Sequence, residues 1–214
     1  MTSESIKTFS RPNLTPEENA AIEAAWAEYE HEMTLARKRR AFVAANIPER
    51  FKEAAIADNF GKPYPGIAKA LYEWVISPSD GVVLTGAIGV GKTWIACATM
   101  MEYMEKWTCS GRFVNAAKYA NEVIAYGTDR YYSPKILVLD DLGKEKPSEF
   151  VTQELFALID TRGATNRKTI ITTNYSMREL LERLTTGEDV TTAQAFASRL
   201  KRYKAIRVEG ADRR

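Results

Sequence analysis

The stretch Gly86-Ala87-Ile88-Gly89-Val90-Gly91-Lys92-Thr93 matches G-x-x-x-x-G-K-[ST] at every fixed position. Glycines let such a backbone curl until successive N–H groups point at phosphate oxygens. A helix opening here adds the partial positive charge of its N-terminus. Lys92 is then expected to reach β- and γ-phosphates, and the Thr93 hydroxyl to ligate Mg²⁺. Trp94 adjoins the stretch and is grouped with it as nucleotide-binding. A glycine-rich turn can match four fixed positions by accident. Here, however, a short apolar run precedes the loop and a helical pattern comes after it, which is the setting a phosphate loop requires.

Two further elements suit the same chemistry. In ILVLDDLG, Asp140 sits where an apolar strand ends, the position of a carboxylate that holds Mg²⁺. Asp141 is next and is a candidate general base for an attacking water. An acidic pair at a strand end could otherwise cap the next helix. Thr172-Thr173-Asn174 closes a fourth apolar strand. Asn174 either orients the water or touches the γ-phosphate, or it is a turn asparagine. The residues alone leave both readings open.

These groups need a frame. Gly81–Thr85, Arg112–Val114, Ile136–Leu139, Thr169–Thr172 and Lys204–Val208 read as strands, with helical patterns between them. The pattern predicts an α/β fold, a mainly parallel sheet in three layers. The third strand is continuously apolar, as expected when helices cover both faces. Ahead of this region, Thr15-Pro16-Glu17-Glu18 predicts a capped helix start. Ile22, Trp26, Tyr29 and Met33 form one helical stripe, and the helix is expected to run to about Ala45, roughly 45 Å. Residues 1–14 read as a loose tail and 60–66 as a turn-rich loop. A boundary near residue 46 divides a helical N-terminal region, 1–46, from an α/β domain, 47–214. The stripe either packs on its own domain or docks on a partner.

Composition narrows the class. The 214 residues are 45% hydrophobic and 27% charged with a net charge of +2, so a core can form without staples and nucleic acid is permitted but not demanded. Two cysteines and one histidine, with no C-x-x-C pair, argue against structural zinc. The polar N-terminus lacks a signal peptide's apolar segment, and no run approaches a membrane span; a soluble, cytoplasmic protein is expected.

In order, GAIGVGKT, LVLDDLG, IITTN and SRL resemble an AAA+ ATPase, and more narrowly the DnaC/DnaI/IstB group of helicase loaders and transposition-helper ATPases. NIPERFKEA ahead of the phosphate loop adds to the likeness, which spans about residues 46–210. The resemblance implies a five-stranded parallel sheet in which the loop strand neighbours the Asn174 strand. It implies Walker A roles for Lys92 and Thr93 and Walker B roles for Asp140 and Asp141. Asn174 would be sensor 1, and Arg199, in the SRL box, an arginine finger acting on a neighbouring subunit. Arg202 and Arg162 are alternative interface arginines. Two departures stand out. Asp-Asp replaces the commoner Asp-Glu, which implies weak intrinsic turnover. Six residues come after Val208, too few for a helical lid.

The resemblance also implies function: an oligomeric, ATP- and Mg²⁺-dependent loader of a replicative hexameric helicase, of a size that suits a phage or prophage gene, with residues 1–46 gripping the helicase. The alternative is an IstB-like transposition helper on duplex DNA. A small-molecule kinase is a third reading, but no arginine-rich lid segment appears. Lys118, Tyr119 and Arg130, near Tyr131 and Tyr132, mix cations with rings where such loaders hold single-stranded DNA. Tyr119 also has helical spacing to Val123 and Tyr126, which suits a core position.

Overall fold

The computed structural model describes residues 14–56, 65–78, 81–144, 148–184 and 190–212. The expected tail lies outside them except for Leu14, as does the turn-rich loop except for Pro65 and Gly66, which open a helix. The chain divides into two compact units, Met1–Arg37 and Lys38–Arg214. The division falls earlier than the expected boundary near residue 46. The physical reason is that Phe42, Ala45 and Ile47 are buried in the core of the larger unit.

The smaller unit is the first part of α1 (Pro16–Ala44). Its start is the predicted capping box. The Thr15 amide donates to the Glu18 carboxylate at 2.8 Å, and the Glu18 amide donates back to the Thr15 hydroxyl at 3.2 Å. Those hydrogen bonds hold the Glu18 carboxyl below the usual range. Ile22, Trp26, Tyr29 and Met33 are all exposed, Trp26 by 61%.

In the larger unit, Pro48 precedes a single 3₁₀ turn at Glu49–Phe51, and two helices come next, α2 (Lys52–Ile56) and α3 (Pro65–Ile76). Then strands and helices alternate: β1 (Gly81–Thr85), α4 (Lys92–Lys106), β2 (Gly111–Asn115), α5 (Ala116–Tyr126), α6 (Asp129–Tyr132), β3 (Ile136–Asp140), α7 (Glu149–Ala164), β4 (Lys168–Thr173), α8 (Met177–Leu184), α9 (Val190–Leu200) and β5 (Lys204–Arg207). The one-turn helix α6 has no counterpart among the expected elements, because four residues carry too little periodicity to register. The strand order is β2-β3-β4-β1-β5, and every pairing is parallel.

Successive strand residues face opposite sides of the sheet, and both sides are buried. Val82, Leu84, Ile136, Val138 and Ile170 join a core with α3 and α4. Val83, Leu137, Leu139 and Ile171 join a second core with α5, α7 and α9. Burial on both faces is why β3 reads as an unbroken apolar run, while β4 buries Thr169, Thr172 and Thr173 beside its two isoleucines.

Arg162 was an expected candidate for an interface; it is instead fully buried. Its guanidinium donates to the carbonyls of Tyr131 and Pro134, each at 2.9 Å, to that of Lys168 at 2.5 Å, and to the Thr169 hydroxyl at 2.9 Å. Burial pushes its pKa down to about 10, so it stays charged at neutral pH. Surrounding carbonyl dipoles stand in for water around the cation. Arg162→Ala should therefore cost about 3–5 kcal/mol, because several buried carbonyls lose their donor together, each worth about 1–3 kcal/mol when left unsatisfied. Urea denaturation reads this directly; a loss under about 1 kcal/mol would mean the carbonyls find other donors.

Candidate active site

Parallel strands deliver their C-terminal ends to one edge of the sheet, and the central three carry the predicted chemistry there. β1 runs into the phosphate loop, β3 ends on Asp140, and β4 ends just before Asn174. Because β4 lies between β3 and β1, its final residues can touch both. Thr85 is level with Thr173, and Leu139 with Ile171.

The loop closes on α4 through Gly91, whose φ of 92° is a left-handed conformation that favours glycine. Val90 is buried in the core behind the loop, while Ile88 is exposed. Trp94 is half-buried and packs on that same core, which anchors the first turn of α4.

Lys92 is 6% exposed. Its ammonium donates to the carbonyls of Gly86 at 2.9 Å and Ala87 at 2.7 Å, and to the Asn174 side-chain oxygen at 2.7 Å. The expected lysine and the expected sensor asparagine are thus in direct contact. Thr93 donates its hydroxyl hydrogen to Asp140 at 2.7 Å.

Asp140 is buried, and burial raises its carboxyl pKa; hydrogen bonds from Thr93 and Thr172 work in the opposite direction without cancelling the effect. The Thr172 hydroxyl lies 2.7 Å from the same carboxylate oxygen that Thr93 contacts, and the Asp141 amide donates to Thr172 Oγ1 at 2.9 Å. The Leu142 amide donates to the Thr172 carbonyl at 2.9 Å, and the Thr173 hydroxyl to the Leu142 carbonyl at 2.7 Å. Asp141 itself takes φ 58°, a left-handed conformation rare for a residue with a side chain. Such strain persists only where surrounding bonds over-determine it, and the Thr172 and Thr173 contacts do so.

Thr172 is the contributor that motif reading passed over. A signal existed: a hydroxyl residue at the buried end of an apolar strand needs a partner. Which partner depended on strand order.

The remaining candidates lie apart from this cluster. Arg199 Nε donates to the Asp160 carboxylate, an ion pair between α9 and α7 that is about two-fifths exposed on each side. Tyr119 is fully buried, with its ring centroid 5.0 Å from that of Tyr131, so it cannot stack on a base; this corrects its assignment as a nucleic-acid contact. The helical spacing had marked the core alternative. Lys118 and Arg130 reach solvent but both pair with Glu122, at 3.6 and 3.5 Å. Tyr131 also donates to Glu122 and is itself buried.

Fold and site together define a P-loop NTPase of the AAA+ class, with the five-stranded sheet of DnaC- and DnaA-like proteins. The model of the IstB-like ATP binding protein family matches residues 69–214, and the chain belongs to that family. It is an ATP-binding ATPase by class. Among curated proteins it is similar to the insertion-sequence protein Rv3427c of Mycobacterium tuberculosis (strain ATCC 25618 / H37Rv), 26% identical over 113 residues. That match takes in 49% of this chain and 44% of the relative, so the chain spans less than half of the relative's length.

Among solved structures it is similar to DnaI, with 25% identity, a TM-score of 0.58, and coverage of 66% of this chain and 82% of that one. The DnaC helicase loader shares the fold at 24% identity and a TM-score of 0.60, over 76% of this chain and 100% of that one. DnaA bound to AMPPCP and single-stranded DNA shares it at 18% identity and a TM-score of 0.59, over 77% and 51%. Among the described residues no helix is long and apolar enough to cross a membrane.

Lys92→Ala should lower nucleotide affinity and turnover by at least about a hundredfold, because the cluster's ammonium is lost; calorimetry with ADP and a phosphate-release assay read both. Asp140→Asn should separate stability from activity. The folded carboxyl is raised, so its ionisation is penalised in the fold; that penalty is absent below the unfolded carboxylate range and complete above the folded one. The variant should therefore melt higher than the parent near pH 8, the difference should fade toward about pH 4, and ATP turnover should be lost. A lower melting temperature at pH 8 would show that the hydrogen bonds outweigh the desolvation.

Proposed function

We propose that this protein is an ATP-dependent loader of a replicative hexameric helicase, acting as an oligomer whose ATP sites are shared between copies. The observation that carries the reading is the pairing of this ATPase site with a separate helical unit whose Ile22, Trp26, Tyr29 and Met33 stand exposed. Exposed apolar residues on one helix face are a docking surface for a partner groove. The likeness to the DnaI and DnaC structures supports the helicase as that partner.

In this reading Lys92 turns from the loop carbonyls to the β- and γ-phosphates of ATP, and Asn174, its present partner, orients the attacking water. Asp141 accepts the water's proton. Thr93 and Asp140 offer hard oxygen donors, one of them anionic, which fits Mg²⁺ completed by phosphate oxygens and water. When bound, that ion neutralises charge on the β- and γ-phosphates. The short Asp141 carboxylate makes turnover slow in a lone copy. Arg199 leaves Asp160 on assembly and reaches the γ-phosphate held by a neighbour, where an arginine is worth several orders of magnitude in rate. Lys118 and Arg130, whose guanidinium lies 5.1 Å from the ring centre of the exposed Tyr126, contact single-stranded DNA.

The family match and the insertion-sequence relative favour a second reading, a transposition helper that assembles on duplex DNA.

Two experiments bear on this. Mixing Arg199→Ala with Lys92→Ala, each inactive alone, should restore ATP turnover to a measurable fraction of the parent. Failure of the mixture under conditions where both assemble would return Arg199 to a surface ion pair. Affinity capture from the native host with a slowly hydrolysed ATP analogue, read by mass spectrometry, should yield a hexameric helicase and lose it in Trp26→Glu. A transposase in the eluate instead would establish the second reading.

A further inference from the structure

β5 is the parallel neighbour of β1, so the chain leaving β5 must run beside the chain leaving β1, which is the phosphate loop. The register holds past the strand ends: Thr85 is level with Arg207, and the Val208 amide donates to the Thr85 carbonyl at 2.7 Å. One residue on, a Cβ built at Gly86 would collide with the Val208 carbonyl oxygen. At Gly89 a Cβ would collide with the carboxylate of Asp212. Two loop glycines therefore leave room for this segment as well as for phosphate. Asp212 is exposed, so this is a carboxylate resting on the loop from the solvent side and not a core contact.

A negative charge against a loop built to receive a polyphosphate opposes that ligand. We propose that residues 209–212 form a strap over the phosphate loop, and that the Asp212 carboxylate sets nucleotide affinity by repelling the incoming phosphates until the strap lifts. Binding of ATP or ADP thus displaces the segment beyond β5, and refolding of the strap onto the loop favours release. This inference rests on the loop being the ATP site.

The test is Asp212→Asn, which keeps the side chain's shape and removes its charge, with Asp212→Glu as the charge-retaining control. Calorimetric titration with ADP in magnesium buffer should show Asp212→Asn binding about three- to tenfold tighter than the parent at low ionic strength, as expected for removing one exposed like charge. The gain should shrink as salt rises and the interaction is screened. Asp212→Glu should bind like the parent. Unchanged affinity in Asp212→Asn would overturn the proposal, as would a gain that does not vary with salt. Weaker binding would also overturn it, making Asp212 an acceptor for the nucleotide. Lys92→Ala keeps the two readings apart: if it binds ADP like the parent, the loop is not the ATP site, whatever Asp212 does.

Discussion

The hydroxyl of Thr172, buried at the end of β4, meets the Asp140 carboxylate that also accepts from Thr93. Its backbone carbonyl receives the Leu142 amide, and its side-chain oxygen receives that of Asp141. One residue thereby fixes the carboxylate, the left-handed backbone after it, and through Thr93 the first turn of α4. None of this is available unless β4 is inserted between β3 and β1. Strand order is thus a chemical requirement of the site as much as a packing outcome.

The same insertion explains why Lys92 and Asn174, far apart in the chain, share a hydrogen bond. Asn174 is the first residue past β4 and Lys92 the first of α4, beyond the loop that leaves β1. Their contact links the loop to the strand end next to it, so a displacement of the lysine is felt at the asparagine without any long-range device.

Much of this was legible in the sequence, and unevenly so. The phosphate loop was readable because its parts are contiguous and its chemistry is local. The strands were readable because short segments rich in β-branched and apolar residues, set between turn signals, are too short for a helix and too apolar for a loop. The Thr15–Glu18 capping box was readable because its two partners are three residues apart. Pairings that depend on tertiary neighbours could not be read. Arg162 on a helix looks like a surface cation until the carbonyls of Tyr131, Pro134 and Lys168 surround it. Tyr119 among lysines and tyrosines looks like a stacking platform until Tyr131 closes over it. The compact units divide ahead of the helix break at Pro48, because burial in the larger unit begins at Phe42.

Arg162 also bears on how the domain opens. Its guanidinium ties the carbonyls of Tyr131, in α6, and Pro134, just past it, to the start of β4, so the connection between α5 and β3 is fastened to the middle of the sheet. Opening that connection alone would leave a desolvated cation without its acceptors. The segment from Tyr131 to Pro134 should therefore belong to the same cooperative unit as the central strands, with amide protection approaching that of global unfolding, although it lies in a connection where fraying is the rule. The candidate nucleotide site lies at the opposite end of the strands, away from this fastening.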